Sequence, residues 1–246
     1  MIELHNIDCL KYLKTLEDNA FDACITSPPY NMRLRVRDGQ YTQREKSEHF
    51  SKKYKFFDDS MPINDFYKLH KEILYHLKRT CKIVIYNFGL VTGSKEAFFK
   101  IIGDFSPHIK DIIIWDKGHG EPAMGVKVLN SSYELILIIE NDNKKGRKIQ
   151  NANFSRGELS NIIRVGKNRN NIKEHKAGFP VKLTDILVNS FTKKGDKILD
   201  PFCGGGTTGV SAITYNRDFT GLEICEEYYN AACKRLKQHE AQLTIF

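Results

Sequence analysis

The chain contains no Cys-x-x-Cys pair. Its six cysteines, Cys9, Cys24, Cys81, Cys203, Cys225 and Cys233, are scattered over 246 residues. That spacing suggests neither a structural zinc site nor a disulfide framework, so no metal and a reducing, cytoplasmic setting are expected. Long apolar runs are also missing. The longest, Leu135 to Ile139 and Ile112 to Trp115, are strand-sized, and Met1-Ile2-Glu3-Leu4-His5 has no basic stretch leading into an apolar one. Neither a membrane span nor an export signal is expected. The glycine-rich run at 204–209 is not followed by Lys-Ser or Lys-Thr, which excludes a P-loop.

What is present is ordinary globular usage, 41% hydrophobic and 28% charged, in a length that suits one sizeable α/β domain covering residues 1–246. The net charge of +8 is unevenly spread. Asn31 to Phe57 holds eight Lys/Arg against three Asp/Glu, and Asn141 to Glu174 holds nine against three, so the remainder of the chain is net −3. Two polar, basic, loop-like segments are the distribution of a phosphate-contacting surface. The bland alternative is two solvated loops.

Apolar spacing gives the elements in order. A strand at Met1 to His5 leads to Asp8, which caps a short helix through Leu16, and Phe21 to Ile25 is a buried strand. A long loop spans about 31–59; in it Arg33, Arg35 and Arg37 alternate with Leu34 and Val36. Helices are expected at Asp65 to Lys78, Ser94 to Ile102, Val181 to Val188, after Gly209 to about Tyr215, and at Glu226 to Gln238. The last is expected to pack through Tyr229, Ala232, Cys233 and Leu236. Strands are expected at Lys82 to Tyr86, Ile109 to Trp115, Tyr133 to Glu140, Lys197 to Asp200 and Asp218 to Glu223. The second and third of these should form an antiparallel pair across the glycine-rich Lys117 to Gly125, where His119 reads as a solvated loop histidine.

Two stretches carry chemistry. Thr26-Ser27-Pro28-Pro29-Tyr30 follows a buried strand, at the kind of sheet edge where open α/β sheets bind ligands. The two prolines stiffen the turn. The Ser27 hydroxyl and the Pro28 carbonyl can each accept one hydrogen of an NH2 group while the Tyr30 ring stacks on the base that bears it. The second stretch, Asp200-Pro201-Phe202-Cys203-Gly204-Gly205-Gly206-Thr207-Thr208-Gly209, joins a strand to a helix. Gly204, Gly206 and Gly209 meet G-x-G-x-x-G in that context, which implies a nucleotide-like cofactor at a helix N-terminus. Glu223 lies 23 positions after Asp200, about where an acid meets ribose hydroxyls.

Together, and in this order, the motifs resemble the β group of DNA amino-methyltransferases. In that group a (D/N/S)-P-P-(Y/F) motif (here Ser27 to Tyr30) precedes a target-recognition segment (about 141–174) and a D-x-F-x-G-x-G motif (here Asp200 to Gly206). The resemblance implies a doubly wound, mainly parallel Rossmann-like sheet with circularly permuted motif order and S-adenosyl-L-methionine as cofactor. It implies that Asp8, Cys9, Asp200, Phe202, Gly204, Gly206, Thr207 and Glu223 hold that cofactor, with Glu223 on its ribose. The segment from His175 to Leu183 would line its methionine end, although Lys176 stands where many members carry proline. Ser27, Pro28, Pro29 and Tyr30 would act on a flipped base of double-stranded DNA. Arg33, Arg35, Lys144, Lys145, Arg147, Lys148, Arg164, Lys167 and Arg169 become candidate DNA contacts, Arg164, Lys167, Asn168 and Arg169 for reading bases. A homodimer and a cognate restriction nuclease are admitted as partners. No Pro-Cys dipeptide occurs, which argues against the covalent cysteine route to carbon methylation.

Serine at the first motif position resembles the cytosine-N4 enzymes, and Asn31 after the tyrosine resembles many adenine-N6 enzymes; cytosine N4 is favoured. An RNA base methyltransferase and a catalytically inactive nucleic-acid-binding module stay open as alternatives. A nicotinamide oxidoreductase would leave Thr26 to Tyr30 without a task.

Overall fold

Strand β5 (Cys81–Phe88) is buried at every position except Lys82, and a strand apolar on both faces has to lie inside a covered sheet. A computed structural model, which describes residues 1–32, 34–37, 40–43, 58–121, 127–142, 146–166 and 178–243, places it there. The sheet has eight strands: β1 (Ile2–Asn6), β2 (Phe21–Thr26), β5, β6 (Ile109–Glu121), β7 (Ser131–Glu140), β8 (Ile162–Arg164), β9 (Lys197–Asp200) and β10 (Asp218–Glu223). Their spatial order is β1-β10-β9-β2-β5-β7-β6-β8. Every neighbouring pair is parallel except the two that β7 makes, with β5 and with β6.

Alternation along the strands feeds two separate cores, as the period of two demands. On one face Ala23, Ile25, Ile83, Ile85, Ile113, Ile136 and Ile138 pack against α4 (Val181–Phe191), α5 (Thr207–Thr214) and α6 (Glu226–Leu243). On the other, Cys24, Val84, Tyr86, Phe88, Leu137 and Ile139 meet α2 (Ile63–Thr80) and α3 (Lys95–Phe105), with α1 (Cys9–Leu13) at the margin. The doubly wound, permuted architecture expected from the sequence is what forms: β9 and β10, last in the chain, lie between β1 and β2.

Several expectations are corrected. The stretch after Tyr30 is not a featureless loop, because Leu34–Arg37 (β3) and Gln40–Gln43 (β4) pair as an antiparallel hairpin; the Leu34/Val36 alternation with arginines was a strand period. Strand β6 runs on to Glu121, so His119 lies in a strand and is exposed. The glycines expected to break it produce a register shift between Asp116 and Glu121, with Gly118 at φ +77°. In α6 the buried aromatic is Tyr228, not Tyr229. Finally, the second basic segment contains β8, a short strand parallel to β6 and tied to it by the Trp115 indole donating to the Val165 carbonyl at 2.8 Å. Among the described residues no helix is long and apolar enough to cross a membrane, and no cluster could hold a metal.

Candidate active site

Because β2, β9 and β10 run parallel, their carboxyl ends open onto one edge, and both sequence motifs begin there. The Thr26 hydroxyl donates to Asp200 Oδ1 at 2.7 Å, and the same oxygen accepts from the Phe202 N–H at 3.1 Å. Asp200 therefore fastens the end of the Ser27 strand to the start of the glycine turn. Its carboxylate is buried, which pushes its pKa from 3.8 up to about 6 against the pull of Thr26, Thr208 and the Phe202 amide.

The turn itself needs glycine at Gly206, which caps α5 at φ +75°, and Gly204 has φ +51°. Side chains are strained at such angles, and at Gly206 a Cβ would also crowd Ala232 and Leu236 of α6 at 3.3 and 3.4 Å, so the turn packs tightly against that helix. Glu223 braces it from the neighbouring strand: Oε2 accepts from the Gly204 N–H at 2.9 Å and Oε1 from the Cys225 N–H at 2.8 Å. Burial raises the Glu223 pKa and these amides oppose the rise. Arg235 of α6, which sequence reasoning missed, donates to the Gly205 carbonyl at 2.9 Å and to the Thr207 hydroxyl at 3.1 Å. The β1–α1 turn joins the same rim, since Asn6 Nδ2 and the Ile7 N–H both donate to the Glu223 carbonyl. Asp8 caps α1 by accepting from Lys11 N at 3.0 Å, as expected, and burial, with Asp8 beside it, pushes the Cys9 thiol up to about 12. Asp8, Cys9, Phe202, Gly204, Gly206, Thr207 and Glu223 thus share one edge, with side-chain-free backbone, carboxylate oxygens and the half-buried Phe202 ring. That donor and acceptor set fits a nucleoside with ribose hydroxyls.

Beside it, Pro28 and Pro29 are buried while Ser27 and Tyr30 are half-exposed. The Ser27 and Tyr30 hydroxyls lie 2.8 Å apart, and Tyr30 packs so closely on Gly89 that a Cβ there would meet its ring at 2.4 Å. Asn31 sits at φ +59°, and its amide donates to the Met61 and Gly93 carbonyls at 2.8 and 2.9 Å. It clamps the loop, which is a conformational reason for asparagine independent of the substrate.

Three further polar side chains gather behind Ser27: Asn87 of β5, Glu134 of β7 and Lys117 of β6. None was singled out from the sequence. The signal was available, since each stands where the apolar stripe of its strand (Ile83-Ile85, Ile138-Ile136, Ile113-Trp115) turns polar at the carboxyl edge.

The candidate DNA contacts divide. Arg33, Lys144, Lys145, Lys167, Asn168 and Arg169 lie outside the described residues, as do His175 and Lys176, and Arg35 is described only as paired with Thr42 in the hairpin. Arg164 pairs with Asp116 at 2.7 Å beside the carboxyl half of β6. Arg147 and Lys148 do not join the site. They line a cavity of about 1030 Å³ with Asp111, Ile113 and Ile138. Arg147 pairs with Asp111, and the following Gln150 and Asn151 amides donate to Glu140, which is in register with Ile83 at the amino half of β5. Five strand positions, roughly 16 Å, separate Ile83 from Phe88 at the other end.

A family model described as DNA methylase matches residues 21–234. Among curated proteins, the chain is 28% identical over 254 residues to the type II methyltransferase M2.DpnII of Streptococcus pneumoniae, covering 96% of this chain and 90% of that one. It is 27% identical to the type II methyltransferase M.HinfI of Haemophilus influenzae, covering 94% and 67%. Among solved structures, the cytosine-N4-specific PvuII DNA methyltransferase superposes with TM-score 0.70 at 14% identity, covering 98% of this chain and 92% of that one. A complex of M1.HpyAVI with SAM gives 0.65 at 20% identity, covering 96% and 99%. At these identities the structural matches speak for the fold.

Proposed function

Since the chain belongs to the N6/N4 DNA methylase family, we propose that it methylates the N4 amine of a cytosine flipped out of double-stranded DNA, using S-adenosylmethionine. The observation that carries this reading is the Thr26–Asp200 hydrogen bond of 2.7 Å, which brings an amine-accepting tetrapeptide and a nucleoside-binding turn to one sheet edge. When bound, S-adenosylmethionine supplies a methyl group on a sulfonium centre. Gly204, Gly206 and Thr207 would hold it through the glycine turn, Phe202 and Cys9 through apolar contact, and Glu223 and Asp8 through carboxylate oxygens.

An exocyclic base amine is a poor nucleophile because its lone pair is delocalised into the ring. Ser27 Oγ and the Pro28 carbonyl, by accepting its two hydrogens, favour a tetrahedral nitrogen whose lone pair can attack. The same acceptors stabilise the positive charge that develops there, and Pro28 and Pro29 hold them in place beforehand. Removing the base from the duplex costs a few kcal/mol, partly offset by stacking on the Tyr30 ring, whose other face rests on Gly89. Of the charged candidates, Arg164 is favoured as a DNA contact because it flanks this edge. The type II relatives support a part in restriction-modification, alongside a cognate nuclease.

Two observations favour cytosine: serine leads the tetrapeptide, and the clamp role of Asn31 removes the argument for adenine. Incubating the protein with S-adenosylmethionine and duplex DNA, digesting to nucleosides and weighing them is expected to give N4-methylcytidine. N6-methyladenosine alone would overturn the base assignment, and no methylated nucleoside would overturn the activity.

The raised Asp200 pKa has a stability consequence. In the folded chain the carboxyl titrates near 6, against 3.8 as the ordinary value. Between those limits the folded protein holds a proton that the unfolded chain has released, so Asp200 adds stability as pH falls through 6 and reaches its full contribution near 4, about 3 kcal/mol. Asp200→Asn lacks this term. Melting both proteins by calorimetry from pH 7.5 to 4.5 should show wild type gaining on the variant toward acid; a constant difference would contradict the buried carboxyl.

A further inference from the structure

The face of the sheet that carries α4–α6 is apolar along its strands and turns polar at its carboxyl edge. In the spatial order β2, β5, β7, β6 the stripes read Ala23-Ile25-Ser27, Ile83-Ile85-Asn87, Ile138-Ile136-Glu134 and Ile113-Trp115-Lys117. On four neighbouring strands the apolar stripe thus gives way to a polar diagonal, Ser27, Asn87, Glu134 and Lys117, and Tyr30 reaches into it from the tetrapeptide.

The row is connected. Lys117 Nζ lies 3.4 Å from Glu134 Oε1, with the ammonium nearly sealed from solvent. Glu134 Oε2 accepts from Tyr30 Oη at 2.9 Å and from Asn87 Nδ2 at 2.7 Å. Asn87 Nδ2, fully buried, also lies 3.2 Å from Ser27 Oγ and against Tyr30 Oη; with two hydrogens it serves Glu134 and one of these two oxygens at a time.

Hydrogen counting gives the row a direction. A carboxylate only accepts, so the single Tyr30 hydroxyl hydrogen goes to Glu134. Having given it up, Tyr30 Oη can only accept, and Ser27, 2.8 Å away, turns its own hydrogen toward it. Every hydroxyl hydrogen then points along Ser27, Tyr30, Glu134, away from the open edge. We infer that Glu134, held by Lys117 and Asn87, is a positioning residue that keeps Ser27 Oγ an acceptor for the amine of the target base. Without it the Ser27 hydrogen is free to turn outward and meet an N–H head-on. The inference rests on the methyltransferase reading above, and it applies equally to a cytosine or an adenine amine.

The test uses the full chain and measures kcat, the KM for DNA, the dissociation constant of S-adenosylmethionine and the melting temperature for Glu134→Gln, Tyr30→Phe and the double variant. Each single change is expected to lower kcat roughly 10- to 100-fold, the factor that a charge-assisted hydrogen bond represents. KM and cofactor affinity should stay within about threefold. Because both changes cut the same chain, the double variant should be no slower than the slower single one, as expected of coupled sites. Losses that multiply, a loss confined to KM, or an unchanged kcat in either variant would overturn the inference. Should Glu134→Gln fail to fold, Tyr30→Phe, which removes one oxygen and no charge, decides by the same criteria on kcat and KM. Wild type that methylates DNA beside variants of equal kcat refutes the positioning role alone, whereas wild type that yields no methylated nucleoside refutes the function it rests on.

Discussion

Ser27→Ala is expected to lower methyl transfer by about 10³ while leaving cofactor and DNA binding close to wild type. On the proposed mechanism the hydroxyl is an acceptor needed most when positive charge develops on the attacking nitrogen, so its loss would fall on kcat. Removing one preorganised group of this kind typically costs a factor of 10² to 10³. The upper end is expected because two polar groups face the vacated position: Asn87 Nδ2 at 3.2 Å and Tyr30 Oη at 2.8 Å each lose one of their partners. Single-turnover kinetics on preformed complexes with duplex DNA separates chemistry from binding. A kcat within threefold of wild type would remove Ser27 from the reaction and leave the Pro28 carbonyl as the only acceptor of the tetrapeptide. Ser27→Asp, by contrast, keeps an acceptor and is expected to recover part of the rate.

The second large effect is on cofactor affinity. Glu223→Ala should weaken S-adenosylmethionine binding roughly 10²-fold or more, measured by calorimetry. Two losses combine. On the proposed assignment the ribose hydroxyls would lose a charged acceptor, worth about 1.5–3 kcal/mol per hydrogen bond. The Gly204 and Cys225 amides lose the oxygens that hold the turn in its binding shape, at 2.9 and 2.8 Å. Glu223→Gln retains one carbonyl acceptor and should fall in between. Unchanged affinity in Glu223→Ala, with the melting temperature preserved, would separate this acid from the cofactor. Asp200 differs in burial: it is sealed from solvent while Glu223 is partly exposed, and its Oδ1 accepts from both Thr26 and the Phe202 amide. Its replacement is expected to act through the alignment of the two motifs as much as through direct contact.

The primary sequence by itself determined the two motifs and every helix and strand except β3, β4 and β8. Strand and helix periods are local: β10 (Asp218–Glu223) and β9 (Lys197–Asp200) follow from runs of apolar residues bounded by polar ones, and their bounds agree with the structure. The glycines at 204 and 206 announce positive φ because few other residues tolerate it, and the paired prolines announce a rigid turn. Asp8 as a helix cap needs only its own neighbours. The antiparallel pairing of β6 with β7 was legible from their proximity in the chain.

Tertiary structure alone decided what the sheet brings together. Ser27, Asn87, Glu134 and Lys117 are separated by up to 107 positions in the chain, from Ser27 to Glu134. They become neighbours because β2, β5, β7 and β6 lie side by side, with Asn87 opposite Ile136 and Glu134 opposite Trp115, so that Glu134 and then Lys117 each stand two positions further along a diagonal; that register is set by burial summed over the whole sheet. The same holds in reverse for the basic segment. Its charge suggested one nucleic-acid surface, yet Arg147 pairs with Asp111 toward the amino half of the sheet while Arg164 pairs with Asp116 toward the carboxyl half. Charge density along a chain does not specify the edge of a sheet to which a segment is delivered. That is fixed by the direction of the strands at either end, and β7 runs against β5 while β8 runs with β6.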